Sequence, residues 1–412
     1  MTPSTFFNWL HNFLPVRFQF LFSYAIMGSL MPYLTIYLNK ELGISDSTIG
    51  LLLAGAAVSV VLSPVVMTAI ADTKISGRQL LGTIFLCSTA CMLAMAYFAA
   101  PWAAFVFFGI HVFLFVSVLP LLDGMNFTVQ KQRLEEGKST TPYHQIRIWG
   151  TVGFIIPSLV IYVLLESGFS VGIILYATAA FAVLSFLNTR RLPTFHPGAK
   201  EEDQGKKQPK RRLPTLDAAA VLFRGRTLVF CIALFLAHGA TTAYMAFYPI
   251  YLTRTVGFSD QVAGLVFNIG AFLEIFFLLG LGWAIRTIGL KWILIIGMAS
   301  TTLRMLTLAA FPTPEMAIIT QILHGPIIIA IHVGPVLYLN SIAGDRFRNS
   351  IQGLFTMVIV GAPRIVGSLW AGSMAERHPD LLMIYFISGV ICIFVVILIA
   401  VFFKAENDKN LM

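Results

Sequence analysis

The chain has 412 residues, of which 57% are hydrophobic and 11% are charged, and its mean hydropathy is +0.82. Soluble domains carry roughly 25% charged residues, so this composition excludes a water-soluble globular protein and leaves no length for a large soluble domain. The net charge of +9 would suit a nucleic-acid ligand in a soluble protein, but here the distribution of the basic residues accounts for it.

Twelve apolar segments follow one another along the chain, and each is long enough to cross a bilayer, which takes about 20 residues. Backbone groups in lipid must be satisfied within the segment, so the segments are predicted to be helices. Their predicted bounds are 15–38, 47–71, 79–100, 102–126, 146–166, 169–189, 227–252, 261–285, 290–311, 316–340, 352–375 and 381–403.

The basic residues predict the orientation of these spans. If the N-terminus is cytoplasmic, 23 of the 28 Lys and Arg residues lie in cytoplasmic segments, and only Lys40, Arg254 and Arg377 lie outside. The positive-inside rule therefore places both termini in the cytoplasm, and we expect a multi-pass protein of the inner cell membrane. No cleavable signal-peptide pattern precedes the first span.

An internal repeat predicts two similar halves. Residues 36–51 read IYLNKELGISDSTIGL, and residues 250–265 read IYLTRTVGFSDQVAGL, 214 residues later. Six spans separate the copies, so the repeat keeps its orientation in the membrane, as in the major facilitator architecture. We expect six-helix bundles over residues 1–189 and 225–412. The basic segment 190–224 is predicted to be a flexible linker, with nucleic-acid or lipid binding as the less favoured alternative.

Several segments resemble one family within this architecture. They are YAIMGSLMPYLTIYL (24–38), YHQIRIWGTVGF (143–154), FLEIFF (272–277), LRML (303–306) and QILHGPIIIAIH (321–332). In order and position they resemble the phenylpropionate permease family, a branch of the major facilitator superfamily near the lactose permease group. Thr68, His144 and Arg364 depart from the family pattern. The resemblance implies secondary transport of a small solute.

Ionisable groups at bilayer depth cost about 3 kcal/mol or more, so they are expected to have partners and functional roles. The C-terminal half carries six of them near the middle of spans, whereas the N-terminal half has only one, together with Tyr24 and Asn126. The one is His111, and the six are His238, Glu274, Arg304, His324, His332 and Arg364.

Proton coupling is predicted for Glu274, Arg304, His324 and His332. A buried carboxylate takes up a proton when it is desolvated and releases it when a cation approaches, and histidine titrates near neutrality. For Glu274 the alternatives are a static ion pair with Arg304 or a direct contact with the solute. For at least one histidine the alternative is a purely interhelical hydrogen bond.

The predicted solute-binding residues are Tyr24, His111, His238, Asn268 and Arg364. The 214-residue offset of the repeat pairs Tyr24 with His238. Arg364 would suit an anionic solute, because an arginine can bind a carboxylate through two hydrogen bonds. His111 has a structural helix contact as its alternative. No metal-ligand spacing occurs, and all four cysteines lie in apolar runs.

Four charged residues and one tyrosine at the cytoplasmic helix ends resemble the superfamily's latch between helices. They are assigned to gating rather than to the solute: Asp72, Arg78, Asp123, Tyr143 and Arg147.

The sequence therefore predicts a secondary active transporter, a proton symporter working by alternating access on an aromatic or other organic anion. Alternatives on the same fold are a sugar or nucleoside symporter, a lipid transporter or flippase, and a transceptor. No catalytic motif, phosphate loop or cofactor site is found, so an enzyme is not expected. The expected partners are the solute, protons and membrane lipid, with no nucleic acid, and the protein is expected to be a monomer.

Overall fold

A computed structural model describes residues 14–73, 75–137, 141, 143–193 and 219–403, and no β-strand occurs in these ranges. The helices of the first half of the chain are α1 (Leu14–Glu41), α2 (Asp46–Thr73), α3 (Gly77–Phe98), α4 (Pro101–Asn126, continuing to Glu135), α5 (Tyr143–Glu166) and α6 (Ile173–Thr189). Those of the second half begin with α7 (Gly225–Thr255) and end with α10 (Pro314–Leu339), α11 (Gly353–Arg377) and α12 (Leu382–Phe402).

Helices α8 and α9 lie in one helical stretch, Asp260–Ala310, which is 51 residues long. Gly289 interrupts it with φ 80° and ψ 158°, a conformation that glycine adopts without a steric penalty. We call residues 260–288 α8 and residues 290–310 α9. The stretch therefore holds two of the predicted spans, with the turn between them confined to one residue.

The helices agree with the predicted spans. In the described part of the chain, ten helices are long and apolar enough to cross a membrane, and Asp260–Ala310 is one of these ten. The 17-residue α6 is apolar but shorter. Counting α8 and α9 separately and adding α6 is consistent with twelve spans. The fold is thus the predicted all-helical membrane architecture.

The described chain divides into two compact units. The first holds the residues before 44 together with 62–193, and the second holds 44–61 together with 219–403. Helix α2 therefore contributes its first part to the second unit and its remainder to the first unit. The predicted boundaries at 189 and 225 fall beside the undescribed segment 194–218 and stay a prediction.

In the first unit, α1 packs against α5 and α6. Gly28 and Gly153 allow α1 and α5 to touch through their backbones, because a Cβ at either position would lie 2.0 Å from a carbonyl oxygen of the other helix. Ser29 and Thr178 add a buried hydrogen bond of 2.8 Å between α1 and α6. Small residues at helix crossings and interhelical hydroxyl bonds are typical of membrane bundles.

In the second unit, the equivalent crossing joins α7 to α11. A Cβ at Gly367 would lie 2.5 Å from the carbonyl oxygen of Gly239. Gly367 stands 214 residues after Gly153, which is the offset of the sequence repeat. A further close crossing joins α9 to α10, where a Cβ at Gly297 would lie 2.4 Å from the carbonyl oxygen of Pro326. These contacts fix the helices that carry the polar residues of the second half.

Replacing Gly367 by Ala is expected to lower the apparent melting temperature of the purified protein. The added methyl group would force α7 and α11 apart, and overpacking of this kind costs about 1–3 kcal/mol. The matched control is Gly280→Ala on α8, where a Cβ would meet nothing within 4 Å. Equal melting temperatures for the two variants would contradict the close crossing.

Candidate functional site

A buried arginine organises the polar interior of the second unit. Arg304 on α9 is 1% exposed, and its NH2 donates to Oε1 of Gln321 on α10 at 2.9 Å. Its NH1 lies 3.3 Å from Nδ1 of His324. Nε2 of Gln321 in turn lies 2.6 Å from the hydroxyl oxygen of Tyr248 on α7. One network therefore connects α7, α9 and α10.

Aromatic rings complete the surroundings of the Arg304 guanidinium. Its central carbon lies 5.2 Å from the ring centroid of Tyr248 and 5.7 Å from that of Tyr244. The two tyrosines are four residues apart on α7, so both rings face the same side of the helix. Cation–π attraction of this kind is worth about 2 kcal/mol when the cation is desolvated. No ion pair joins Arg304 to a carboxylate of the described residues.

Glu274 on α8 approaches the same network through His324. Its Oε2 lies 3.7 Å from Nε2 of His324. The sequence left open a static ion pair between Glu274 and Arg304. No such pair occurs among the side chains that the structure describes. The side chain of Glu274 is 24% exposed, compared with 13% for His324. The carboxylate is therefore the more accessible of the two groups.

The local backbone of α10 brings together Gln321 and His324, the two residues of this helix that contact Arg304. Thr320–Leu323 forms a 3-10 turn immediately before His324. Side chains three residues apart eclipse in such a turn, so Gln321 and His324 point to the same side. Gly270 on α8 leaves the space that they fill, because a Cβ there would lie 2.7 Å from Oε1 of Gln321 and 2.9 Å from Cγ of His324.

A second polar cluster lies in the same unit, formed by His238 on α7, His332 on α10 and Arg364 on α11. The ring centroids of His238 and His332 are 5.4 Å apart. Arg364 is close enough for its charge to act on both rings. Asn268 on α8 is buried, and its Nδ2 donates to the carbonyl oxygen of Gly264 in the same helix at 2.8 Å. Its solute-binding role stays a prediction.

The first unit brings two predicted residues together that were assigned to different roles. The guanidinium carbon of Arg147 on α5 lies 4.3 Å from the ring centroid of Tyr24 on α1. Gly150 permits the stacking, because a Cβ there would lie 2.8 Å from Cδ2 of Tyr24 and 2.9 Å from NH1 of Arg147. A residue predicted for gating and a residue predicted for solute binding are thus in contact, and both roles stay predictions.

His111 on α4 has a local partner. Its Nδ1 lies 2.8 Å from Oγ of Ser88 on α3, and its ring stacks on Phe115 at 5.2 Å. The ring is 2% exposed. This geometry suits the structural alternative, in which the histidine joins α3 to α4. Solute binding by His111 stays a prediction.

The predicted cytoplasmic gating residues are described only in part. Arg78 donates through NH1 to the carbonyl oxygen of Leu192 at 3.3 Å, which joins the start of α3 to the chain just after α6. Asp123 lies half-buried on α4. The side chains of Asp72 and Tyr143 lie outside the described part of the chain. The gating role of these residues stays a prediction.

An ion pair at the other end of the second unit was not predicted. Arg254 at the end of α7 donates to both carboxylate oxygens of Asp46 at the start of α2, at 2.6 and 3.1 Å. Glu376 on α11 accepts from the backbone N–H of Ser47 at 3.1 Å. One turn further along α2, a Cβ at Gly50 would lie 2.6 Å from the carbonyl oxygen of Ser368. Asp46 and Arg254 lie in the two repeated segments, 36–51 and 250–265. This shared position was the sequence feature that could have indicated the ion pair.

Among the described residues, no group of three or more His, Cys, Asp and Glu side chains could hold a metal ion. The four cysteines, Cys87, Cys91, Cys231 and Cys392, are all free.

The sequence matches the profile of one family, described as the MFS_1 like family, over residues 14–404. The chain is a member of the MFS_1-like family. The Nucleoside permease NupG of Escherichia coli (strain K12) is 24% identical over 369 residues, which cover 86% of each chain. The Probable 3-phenylpropionic acid transporter of the same strain is 25% identical over 362 residues, covering 87% of this chain and 89% of the relative.

The fold of this MFS_1-like protein has a solved counterpart. The crystal structure of the nucleoside transporter NupG superimposes with a TM-score of 0.80 at 22% sequence identity, covering 95% of this chain and 99% of that chain. The family membership and the permease relatives confirm the predicted resemblance. This MFS_1-like protein is therefore a multi-pass membrane transporter of small organic solutes and not an enzyme.

The ion pair between Asp46 and Arg254 is expected to contribute to stability. The two side chains are 9% and 29% exposed, so their bidentate pair is drier than a surface pair. In a double-mutant cycle of Asp46→Asn and Arg254→Gln, the apparent free energies of unfolding should be non-additive by about 1 kcal/mol. Arg377→Gln replaces Arg254→Gln in the control cycle and should be additive. Additivity in both cycles would contradict the pairing.

Proposed function

We propose that this protein is a proton-coupled symporter that carries a small organic solute by alternating access, with Glu274 as the group that binds the transported proton. The single observation that supports this role is the contact of Glu274 with His324, whose other ring nitrogen faces Arg304. A carboxylate that is partly accessible and stands one imidazole away from a fixed cation can exchange a proton and report its state to neighbouring helices.

The position of the proton on His324 follows from its hydrogen bonds. An arginine has donors and no acceptor, so Nδ1 of His324 must accept from Arg304. The remaining ring proton is therefore assigned to Nε2, which faces Glu274. A second proton on the ring would place an Nδ1–H donor opposite the N–H donor of Arg304. In this conformation His324 is therefore neutral, and the carboxylate of Glu274 is the site left for the transported proton.

Protonation of Glu274 would change the interactions of α10. Oε2 of the charged carboxylate lies 3.7 Å from Nε2 of His324, and this electrostatic contact weakens when the carboxylate becomes neutral. Because Gln321 and His324 both hold Arg304, a shift of α10 alters the position of the buried guanidinium as well. We infer that this linkage, rather than direct proton transfer to Arg304, connects the proton to a conformational change.

The solute is proposed to be a small organic molecule of the classes carried by the relatives, a nucleoside or an aromatic acid. Tyr24, His238, Asn268 and Arg364 are the proposed contacts. The distribution of Lys and Arg supports cytoplasmic termini in an inner membrane. A monomer is proposed because the chain alone contains both repeats.

Replacing Glu274 by Gln is expected to abolish uphill accumulation of solute in proteoliposomes while solute exchange continues. Glutamine keeps the shape of the side chain but cannot release or bind the transported proton. Accumulation driven by an imposed pH gradient and radiolabelled exchange would be measured on the same preparation. The matched control is Glu315→Gln on the exposed end of α10, which should accumulate normally. Normal accumulation by Glu274→Gln would remove Glu274 from the coupling mechanism.

Replacing His324 by Gln is expected to slow transport but preserve accumulation. The glutamine oxygen can accept from Arg304, and its amide can donate to Glu274, so both contacts of the neutral imidazole have substitutes. The steady-state accumulation ratio at several pH values would be compared with that of the unaltered protein. Loss of accumulation with intact exchange would instead place the transported proton on His324.

A further inference from the structure

Arg364 differs from the other buried or paired arginines of the second unit. Arg304 is held by Gln321 and His324, and Arg254 is held by Asp46. Arg364 makes no hydrogen bond or ion pair with any residue that the structure describes. It lies near the middle of α11 (Gly353–Arg377), where an uncompensated charge is costly. A guanidinium that remains without a partner at this depth has its donors available for a ligand.

The packing of α7 and α11 holds Arg364 in place. Gly367, three residues later on α11, meets the carbonyl oxygen of Gly239, and Pro363 lies 3.8 Å from the Cβ position of that glycine. His238 precedes Gly239 on α7 and Arg364 follows Pro363 on α11, so the two residues stand at the same level of this crossing. Arg364 itself is half-buried, and its guanidinium is therefore not sealed from a ligand.

The two histidines beside Arg364 extend the set of donors. His238 is 2% exposed, and its Nε2 is buried with no hydrogen-bond partner among the described side chains and backbone. The ring of His332 lies 5.4 Å from that of His238, and the charge of Arg364 acts on both. Neither histidine has an ion pair with a described carboxylate. A buried polar atom without a partner is rare in folded proteins and calls for an explanation.

We propose that Arg364, His238 and His332 form a subsite for the carboxylate group of an organic anion. A guanidinium offers two parallel N–H groups in the geometry that a carboxylate accepts, and each neutral imidazole adds one N–H donor. The subsite does not use Arg304, whose NH1 and NH2 already contact His324 and Gln321 and whose Nε is buried. The identification of this anion as the transported solute rests on the proposed function, whereas binding of the anion does not.

The first experiment uses the unaltered full-length protein in detergent, with 3-phenylpropionate as the probe and 3-phenylpropanamide as its neutral counterpart. Isothermal titration calorimetry should give a dissociation constant about 10- to 100-fold lower for the acid, the range expected from charge-assisted hydrogen bonds. Because this comparison needs no substitution, it does not depend on the folding of a variant. Equal binding of the two compounds, or binding of the neutral nucleoside uridine without binding of either acid or amide, would overturn the proposal.

The second experiment assigns the preference for the acid to Arg364. Arg364→Gln should bind the acid and the amide equally, and Arg364→Lys should keep only part of the preference because a lysine lacks the planar pair of donors. The matched control is Arg377→Gln at the exposed end of the same helix, which removes one positive charge but not the subsite. An unchanged preference for the acid in Arg364→Gln would show that the carboxylate binds elsewhere.

The same titrations separate this proposal from proton coupling. If Glu274→Gln still accumulates solute while Arg364→Gln loses the preference for the acid, the anion subsite stands and the coupling role of Glu274 fails. If Glu274→Gln loses accumulation while Arg364→Gln keeps the preference, the coupling role stands and the anion subsite fails.

Discussion

The buried guanidinium of Arg304 is the interaction on which the interior of the second unit depends. A cation removed from water needs partners for its donors, and here an amide, an imidazole and two tyrosine rings surround it without a carboxylate, while Nε has no hydrogen-bond partner among the described residues. That requirement accounts for the 3-10 turn that aligns Gln321 with His324, and for the glycine at position 270 that makes room for both. It also places the imidazole of His324 next to Glu274.

The arginines of the second unit therefore divide by the kind of partner that each has. Arg254 is neutralised by the carboxylate of Asp46, so breaking the pair would expose two charges. Arg304 is stabilised by neutral groups and keeps its charge in the bundle. Arg364 has neither arrangement among the described residues. The three arginines thus differ in electrostatic environment: an ion pair, a set of neutral partners, and no partner among the described residues.

Close backbone crossings allow these polar groups to sit on rigid helices. Gly153 in the first unit and Gly367 in the second mark the crossings between the first and fifth helices of each half, and they are separated by the offset of the sequence repeat. A membrane bundle gains little from burying apolar surface between helices, because lipid is equally apolar. Tight contact through small residues supplies the stability instead, and it fixes the orientation of the side chains one turn away.

The sequence by itself determined the helical membrane fold and the depth of the ionisable residues, because hydrocarbon permits only internally bonded spans and position within a span sets depth. Glu274, Arg304, His324 and Arg364 could be selected on that basis alone. Only the tertiary structure decided which groups meet. Rotation about each helix axis depends on crossings such as Gly367 against Gly239. These contacts bring Arg304 to Gln321 and its tyrosines instead of Glu274, and a linear sequence does not encode that rotation in any local pattern.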